Sequence, residues 1–200
     1  MFSTLRNTAL RASRVTIRTI KTLNVGASKE IIYETSDYPI DKCNHILKDH
    51  YISVLGYGPQ GRSQALNLKD NNTRVCVGVR KGNSWAKAID DGWEPGVDLF
   101  EIEDACDRGS IIANLLSDAG QIRQWDRIKK HLAKDKVLYF SHGFGVTFSE
   151  QIKHDYPEDI DIIMVAPKGA GISVRENYEN GLGVNSSYAV NQDYSGNAKE

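Results

Sequence analysis

The hexapeptide Gly56-Tyr57-Gly58-Pro59-Gln60-Gly61 has the pattern G-x-G-x-x-G and stands directly after the short apolar run Ile52-Ser53-Val54-Leu55. It opens a stretch from Pro59 to Asp70 in which Ala65, Leu66 and Leu68 are spaced among polar residues, stopped by Asn71-Asn72. Strand, glycine turn and helix form the context in which this otherwise common pattern becomes informative. Gly56 permits the tight turn, Gly58 lets a pyrophosphate approach the backbone, and Gly61 lets helix and strand pack closely. Pro59 suits the first helical turn, where its missing N–H leaves no helical hydrogen bond unmade. The free amides and positive dipole end of the helix then face the phosphates. The competing reading is a glycine-rich turn that holds no ligand.

The rest of the chain repeats the alternation of strand and helix. Residues 74–79 read as a second strand, and residues 84–91 as a helix closed by Gly92. Residues 110–116 form a third strand, followed by an amphipathic helix with Ile122, Trp125, Ile128 and Leu132 at three- and four-residue intervals. Residues 137–140, 160–165 and 184–190 supply three more strands. These runs are apolar rather than alternating, as strands buried on both faces are. The expectation is an α/β domain, a Rossmann-like doubly wound and mostly parallel sheet, over residues 30–200. Residues 195–199 read as the first turn of a further helix.

The end of the second strand bears on which dinucleotide is bound. An NAD site usually closes this strand with Asp or Glu to hold the ribose hydroxyls. Here Val75-Cys76-Val77-Gly78-Val79 runs into Arg80-Lys81, with Ser84 shortly after. Two cations and a hydroxyl suit the 2′-phosphate of NADPH, which a carboxylate would repel. The plainer alternative is a solvated basic pair. His142 and Lys168 each follow an expected strand, at the end of the sheet where ligands of such folds bind; the plainer readings are a loop histidine and a surface cation.

These segments together resemble the N-terminal cofactor domain of the ketol-acid reductoisomerases, in their fungal mitochondrial form. The resemblance rests on GYGPQG with Ala65-Leu66-Asn67-Leu68 behind it, on Val77-Gly78-Val79-Arg80 with Ser84-Trp85, and on Asn114-Leu115-Leu116-Ser117-Asp118. It continues through Tyr139-Phe140-Ser141-His142-Gly143-Phe144, Met164-Val165-Ala166-Pro167-Lys168-Gly169, Gly171, Val174-Arg175 and Asn185-Ser186-Ser187-Tyr188-Ala189-Val190. It implies a magnesium-dependent alkyl shift of an acetohydroxy acid and its reduction by NADPH, in branched-chain amino-acid synthesis. It places His142 by the nicotinamide and Lys168 at the metal-bound substrate. It places Tyr57, Gly58 and Gln60 in the phosphate loop, with Pro59 where Ser is more usual, and Arg80 and Ser84 at the 2′-phosphate, beside the Lys81 read from the strand end. Asp118 and Gln121 would border the cofactor, and Gly171 would approach it from the other side. In this family the metal-binding carboxylates come from a helical domain that follows the cofactor domain. No Asp/Glu constellation accompanies His142 and Lys168 here, so no metal ligand is assigned to this chain and it is expected to be inactive alone, as a fragment, a mispredicted gene or a degenerate copy. A standalone NADPH-binding module and a non-catalytic mitochondrial interaction protein stay open as alternatives.

Charge separates the N-terminus from the rest. Residues 1–29 hold six of the 25 basic residues and none of the 26 acidic ones. An Arg-, Ser- and Thr-rich segment without acids, with Leu5, Leu10, Val15, Ile17 and Ile20 interspersed, has the composition of a mitochondrial transit peptide. A disordered basic arm is the alternative. Residues 1–29 are therefore set apart as a leader for the mitochondrial matrix. The acidic remainder argues against a nucleic-acid partner. No apolar run approaches the ~20 residues of a membrane-spanning helix. Three scattered cysteines exclude a disulfide scaffold, and Cys43, His45 and His50 match no standard zinc spacing. The expected partner is a small molecule; the oligomeric state is left open.

Overall fold

A computed structural model of the chain describes residues 21–199. The residues divide into two compact units, meeting at Pro39 and Ile40. The described part of the first unit holds an antiparallel hairpin, β1 (Lys21–Val25) and β2 (Ser28–Ile32), followed by a 3-10 turn at Thr35–Asp37. Gly26, with φ 60°, occupies the first turn position, where hairpins favour glycine. Residues 1–20 of the expected leader lie outside the described residues. Its remaining residues form β1 and the start of β2, so the boundary expected at residue 29 falls inside the hairpin.

The second unit follows the order α1 (Ile40–Leu47), β3 (Ile52–Leu55), α2 (Pro59–Asp70), β4 (Val75–Gly78), α3 (Asn83–Asp90), β5 (Leu99–Phe100), α4 (Ile102–Arg108), β6 (Ile111–Asn114) and α5 (Asp118–Ile128). It continues with β7 (Val137–Phe140), α6 (Phe144–Thr147), α7 (Ser149–Ile152), β8 (Asp161–Pro167), α8 (Gly171–Glu179) and β9 (Ser186–Gln192). One seven-stranded sheet runs β5-β4-β3-β6-β7-β8-β9. The first six strands are parallel and only β9 is antiparallel, so the expected fold class holds. The chain starts in the middle at β3, winds outward to β5, and returns to add β6 on the other side of β3. The gap between β3 and β6 is the topological switch point at which doubly wound sheets bind ligands.

Period-two side chains divide the core into two layers. Leu55, Ile112, Leu138, Phe140 and Ile162 pack on one face with Ile102, Ala105 and Cys106 of α4 and Trp125 and Ile128 of α5. Val54, Val77 and Ala113 point to the other face, against Ala65 and Leu66 of α2 and Ala88 of α3. Each fully buried Leu, Ile or Phe contributes about 1.5–3 kcal/mol. The free thiols Cys76 and Cys106 lie in this core, and burial pushes Cys106 up to about 12, the state of an inert thiol.

Four details differ from expectation. The buried stripe of α5 is Gln121, Gln124, Trp125 and Ile128, whereas Ile122 is 45% exposed. The short β5 and its helix α4 carry no strong periodic signal and were not anticipated. The strand expected at residues 184–190 is an exposed antiparallel edge rather than a strand buried on both faces. Residues 193–199 form bends and a turn instead of a helical turn. There the Asp161 carboxylate accepts the Ser195 amide at 3.0 Å and the Ser195 hydroxyl at 2.6 Å. Among the described residues no helix is long and apolar enough to cross a membrane.

Candidate functional site: the carboxyl ends of the central strands

The glycine loop turns out of β3 with Gly56 at φ 93°, a conformation that L side chains rarely adopt. A Cβ on Gly61 would stand 2.2 Å from the carbonyl oxygen of Gly56, so only glycine lets α2 begin this close to the strand. Gly58 is the N-cap of α2 and offers no side-chain hydrogen bond, and its Cβ position opens on empty space. Together these form an open cradle at the switch point, lined by backbone and aimed at by the helix N-terminus, which fits a dinucleotide pyrophosphate.

Side-chain placement refines the expectations for this loop. Tyr57 is not turned toward the cradle: its ring is buried, its hydroxyl donates to Asp91 Oδ2 at 2.8 Å and accepts Trp93 Nε1 at 2.7 Å. Arg62 grips the same carboxylate through Nε at 2.6 Å and Nη2 at 2.7 Å. The Arg62 hydrogen bonds hold Asp91 below the usual carboxylate range, while burial, and then Asp91, push the Tyr57 phenol up. Tyr57 therefore offers only its backbone to a ligand, and anchors the loop to the end of α3. Asp91, Arg62 and Trp93 were missed; Tyr57 and Asp91 are 34 positions apart, and no local pattern joins them.

Arg80 and Ser84 are exposed at the end of β4 and the start of α3, as the 2′-phosphate reading requires. Lys81 is exposed too, and its ammonium faces Glu101 Oε1 at 3.5 Å. On the other side of the switch point, Ser117 caps α5 by accepting the Gly120 amide at 3.3 Å. Asp118, the first residue of α5, brings its carboxylate to 3.6 Å from His142 Nε2. His142 Nδ1 lies 3.3 Å from the Phe144 amide, which can donate to it, so a neutral ring carries its proton on Nε2, toward Asp118. These two expected residues, 24 positions apart, meet where β6 and β7 end.

Gln121 has a different place from the one expected. It is fully buried and donates from Nε2 to the Leu116 carbonyl at 3.1 Å, supporting the loop after β6 from beneath. Lys168 is exposed beyond the end of β8, with its amide bonded to Asn185 at 2.8 Å. Gly171, the first residue of α8, presses on the start of α2: a Cβ there would stand 2.4 Å from the Pro59 carbonyl carbon and 2.6 Å from the Gln60 amide nitrogen. Its glycine is needed for helix packing behind the cradle. Among the described residues no group of three or more His, Cys, Asp or Glu side chains converges as a metal site, and the residues present do not fit magnesium.

Comparison with known proteins agrees with this geometry. The family described as acetohydroxy acid isomeroreductase, NADPH-binding domain, matches residues 46–200. The mitochondrial ketol-acid reductoisomerase of Neurospora crassa is 48% identical over 189 residues, which are 94% of this chain and 47% of that protein. The mitochondrial enzyme of Saccharomyces cerevisiae is 49% identical over 187 residues, 93% of this chain and 47% of that protein. Among solved structures, an NADH-preferring ketol-acid reductoisomerase from an uncultured archean superposes with a TM-score of 0.71 at 41% identity, covering 78% of this chain and 47% of that one. The chain thus spans about half the length of the relatives it matches. The family match takes in the whole sheet and every expected site residue, and the chain therefore belongs to the acetohydroxy acid isomeroreductases, as their NADPH-binding domain.

Proposed function

We propose that this chain binds NADPH across the switch point and is the cofactor half of a ketol-acid reductoisomerase. The observation that carries the reading is the open start of α2: an N-cap with no side chain, Pro59 behind it, and exposed Arg80 and Ser84 at the end of the neighbouring strand. The backbone of Gly58 to Gly61 and the first free amides of α2 take the pyrophosphate. Arg80 and Ser84 take the 2′-phosphate, with Lys81 shared between that group and Glu101. Asp118 and His142, where β6 and β7 end, would face the nicotinamide end of the cofactor. When bound, NADPH supplies the hydride for the ketone reduction. His142, oriented by the Phe144 amide at Nδ1 and by Asp118 at Nε2, sets its imidazole beside the reacting end, and Lys168 offers an ammonium to an acetohydroxy acid substrate.

The alkyl migration calls for metal ions that polarise a carbonyl and hold an alkoxide. The described residues do not fit that ion, so no metal-dependent step is assigned to this chain. A standalone NADPH-binding module is the second reading, favoured by the two packed core layers that the sheet and its helices form within this chain. The mitochondrial matrix is the proposed location, supported by the acid-free arginine-rich segment 1–29 and by the names of the fungal relatives. The test of activity is NADPH oxidation with acetolactate and Mg²⁺, run on the 200-residue chain. Cofactor binding without turnover is expected. Turnover above background would place a complete metal site within these residues and overturn the assignment.

A further inference from the structure

A chain of side-chain hydrogen bonds runs from the strand that precedes His142 to the loop that carries Lys168. The Tyr139 hydroxyl on β7 donates to Gln64 Oε1 at 2.7 Å. Gln64 Nε2, on α2, donates to Gln60 Oε1 at 3.0 Å. Gln60 Nε2, in the glycine loop itself, donates to the Gly169 carbonyl at 3.2 Å. The Gly169 carbonyl accepts only, so the Gln60 amino group must face it and its oxygen must face Gln64. Gln64 in turn must present its amino group to Gln60 and its oxygen to the Tyr139 hydroxyl. Both amide orientations are thereby set by one backbone carbonyl, and the Tyr139 hydroxyl is left to donate. All three bonds point the same way, an arrangement in which each polarises the next.

Tyr139 has a second acceptor, Val165 O at 3.2 Å, but a single proton, and the shorter contact to Gln64 takes it. Burial pushes the Tyr139 phenol up, so it stays protonated and donating at neutral pH. Behind the chain, the fit of Gly171 on Pro59 and Gln60 leaves no slack between α8 and the glycine loop. Gln60 is thus tied to Gly169, one residue after Lys168, through its side chain.

We propose that Gln64 and Tyr139 are positioning residues, and that the Tyr139–Gln64–Gln60–Gly169 relay couples occupancy of the phosphate cradle to the placement of the Lys168 loop. The inference rests on the reading of that cradle as the NADPH phosphate site. Bound phosphates fix the Gln60 backbone, the relay holds its side chain, and the Lys168 loop is set before substrate arrives. Gln64→Met removes the amide, both its oxygen and its amino group, on an unbranched side chain of similar length, and Tyr139→Phe removes only the hydroxyl.

The experiment is an NADPH titration of the full chain and of both variants, followed by the backbone amide resonances of Gly169 and Ala170 and by cofactor fluorescence. The unmodified chain is expected to bind NADPH and to shift the Gly169 amide. Both variants are expected to keep the NADPH Kd within about threefold while losing more than half of that shift. A Gly169 shift of equal size in the folded variants, or in Tyr139→Phe alone if Gln64→Met fails to fold, would overturn the relay. Absence of NADPH binding by the unmodified chain would instead overturn the cofactor reading beneath it.

Discussion

Two helices start side by side at the middle of the sheet, and their starts differ. The N-terminus of α5, after β6, is closed by its own chain: the Ser117 hydroxyl accepts the Gly120 amide, and Gln121 fills the space beneath. The N-terminus of α2, after β3, has no side chain at its cap and open space where one would stand. A helix leaves its first amides without intrahelical partners, and a Ser cap satisfies one of them. The chain therefore completes one helix start itself and leaves the other to solvent or a ligand. What it spends on α2 instead is rigidity from behind, through Gly61, Gly171 and the Tyr57–Asp91–Arg62 cluster.

The comparison breaks most visibly if the open start is pushed off its strand. Gly61→Ala puts a methyl 2.2 Å from a backbone oxygen that no side-chain rotation can relieve. A loss of about 3 kcal/mol is expected, a fall in Tm of roughly 6–12 °C, together with loss of NADPH binding. Thermal melts with and without cofactor check it. Next comes Arg80→Asp, which exchanges attraction for repulsion at the 2′-phosphate. A charge-assisted hydrogen bond of about 1.5–3 kcal/mol corresponds to roughly a 10- to 150-fold weaker NADPH Kd. NADH should weaken far less, and parallel titrations would show it.

The closed start responds in stability rather than affinity. Ser117→Ala is expected to cost about 1 kcal/mol on denaturant unfolding and to leave the NADPH Kd nearly unchanged. A large loss of affinity there would mean that α5 contributes more to the cofactor than a supported loop does.

The smallest expected effect is pH-dependent and belongs to the same closed side. His154 is buried against Trp125, stacked at 4.5 Å, and neither ring nitrogen has a hydrogen-bond partner among the described residues. Burial pushes its pKa below the ordinary value, partly offset by Asp155 and Asp126. The unfolded chain then takes up a proton below about pH 6.5 that the folded one resists. Stability from this group is complete above that pH and declines as the pH falls below it. Unfolding at about pH 7.5 and about pH 5.5 should show a drop that His154→Phe reduces.

The central β-α-β unit was legible because each of its parts has a local cause. Four consecutive buried residues mark β3 and β4, three glycines mark the turn, and Asn71 with Asn72 stop α2. The far edge was less legible: β9 mixes Tyr188, Ala189 and Val190 with Ser, Asn and Gln, and it lies exposed and antiparallel against β8. The turn glycines Gly56, Gly58 and Gly61 could be read from spacing, and the exposed positions of Arg80 and Ser84 from their place after a strand. Tyr57 and Gln121 could not, because which way a side chain turns depends on partners such as Asp91 and Leu116 O. The Gln64–Tyr139 bond spans 75 positions and leaves no trace in either segment alone.

The difference between the two helix starts makes one claim above the others: the open start of α2 and the cations after β4 form a site for NADPH. The measurement is a fluorescence titration of the unmodified 200-residue chain with NADPH and, separately, with NADH. Saturable binding is predicted, with NADPH tighter by about tenfold or more, the value of one charge-assisted contact. Equal affinity for the two cofactors would contradict the assignment of Arg80 and Ser84, and no saturable binding of either would contradict the site itself.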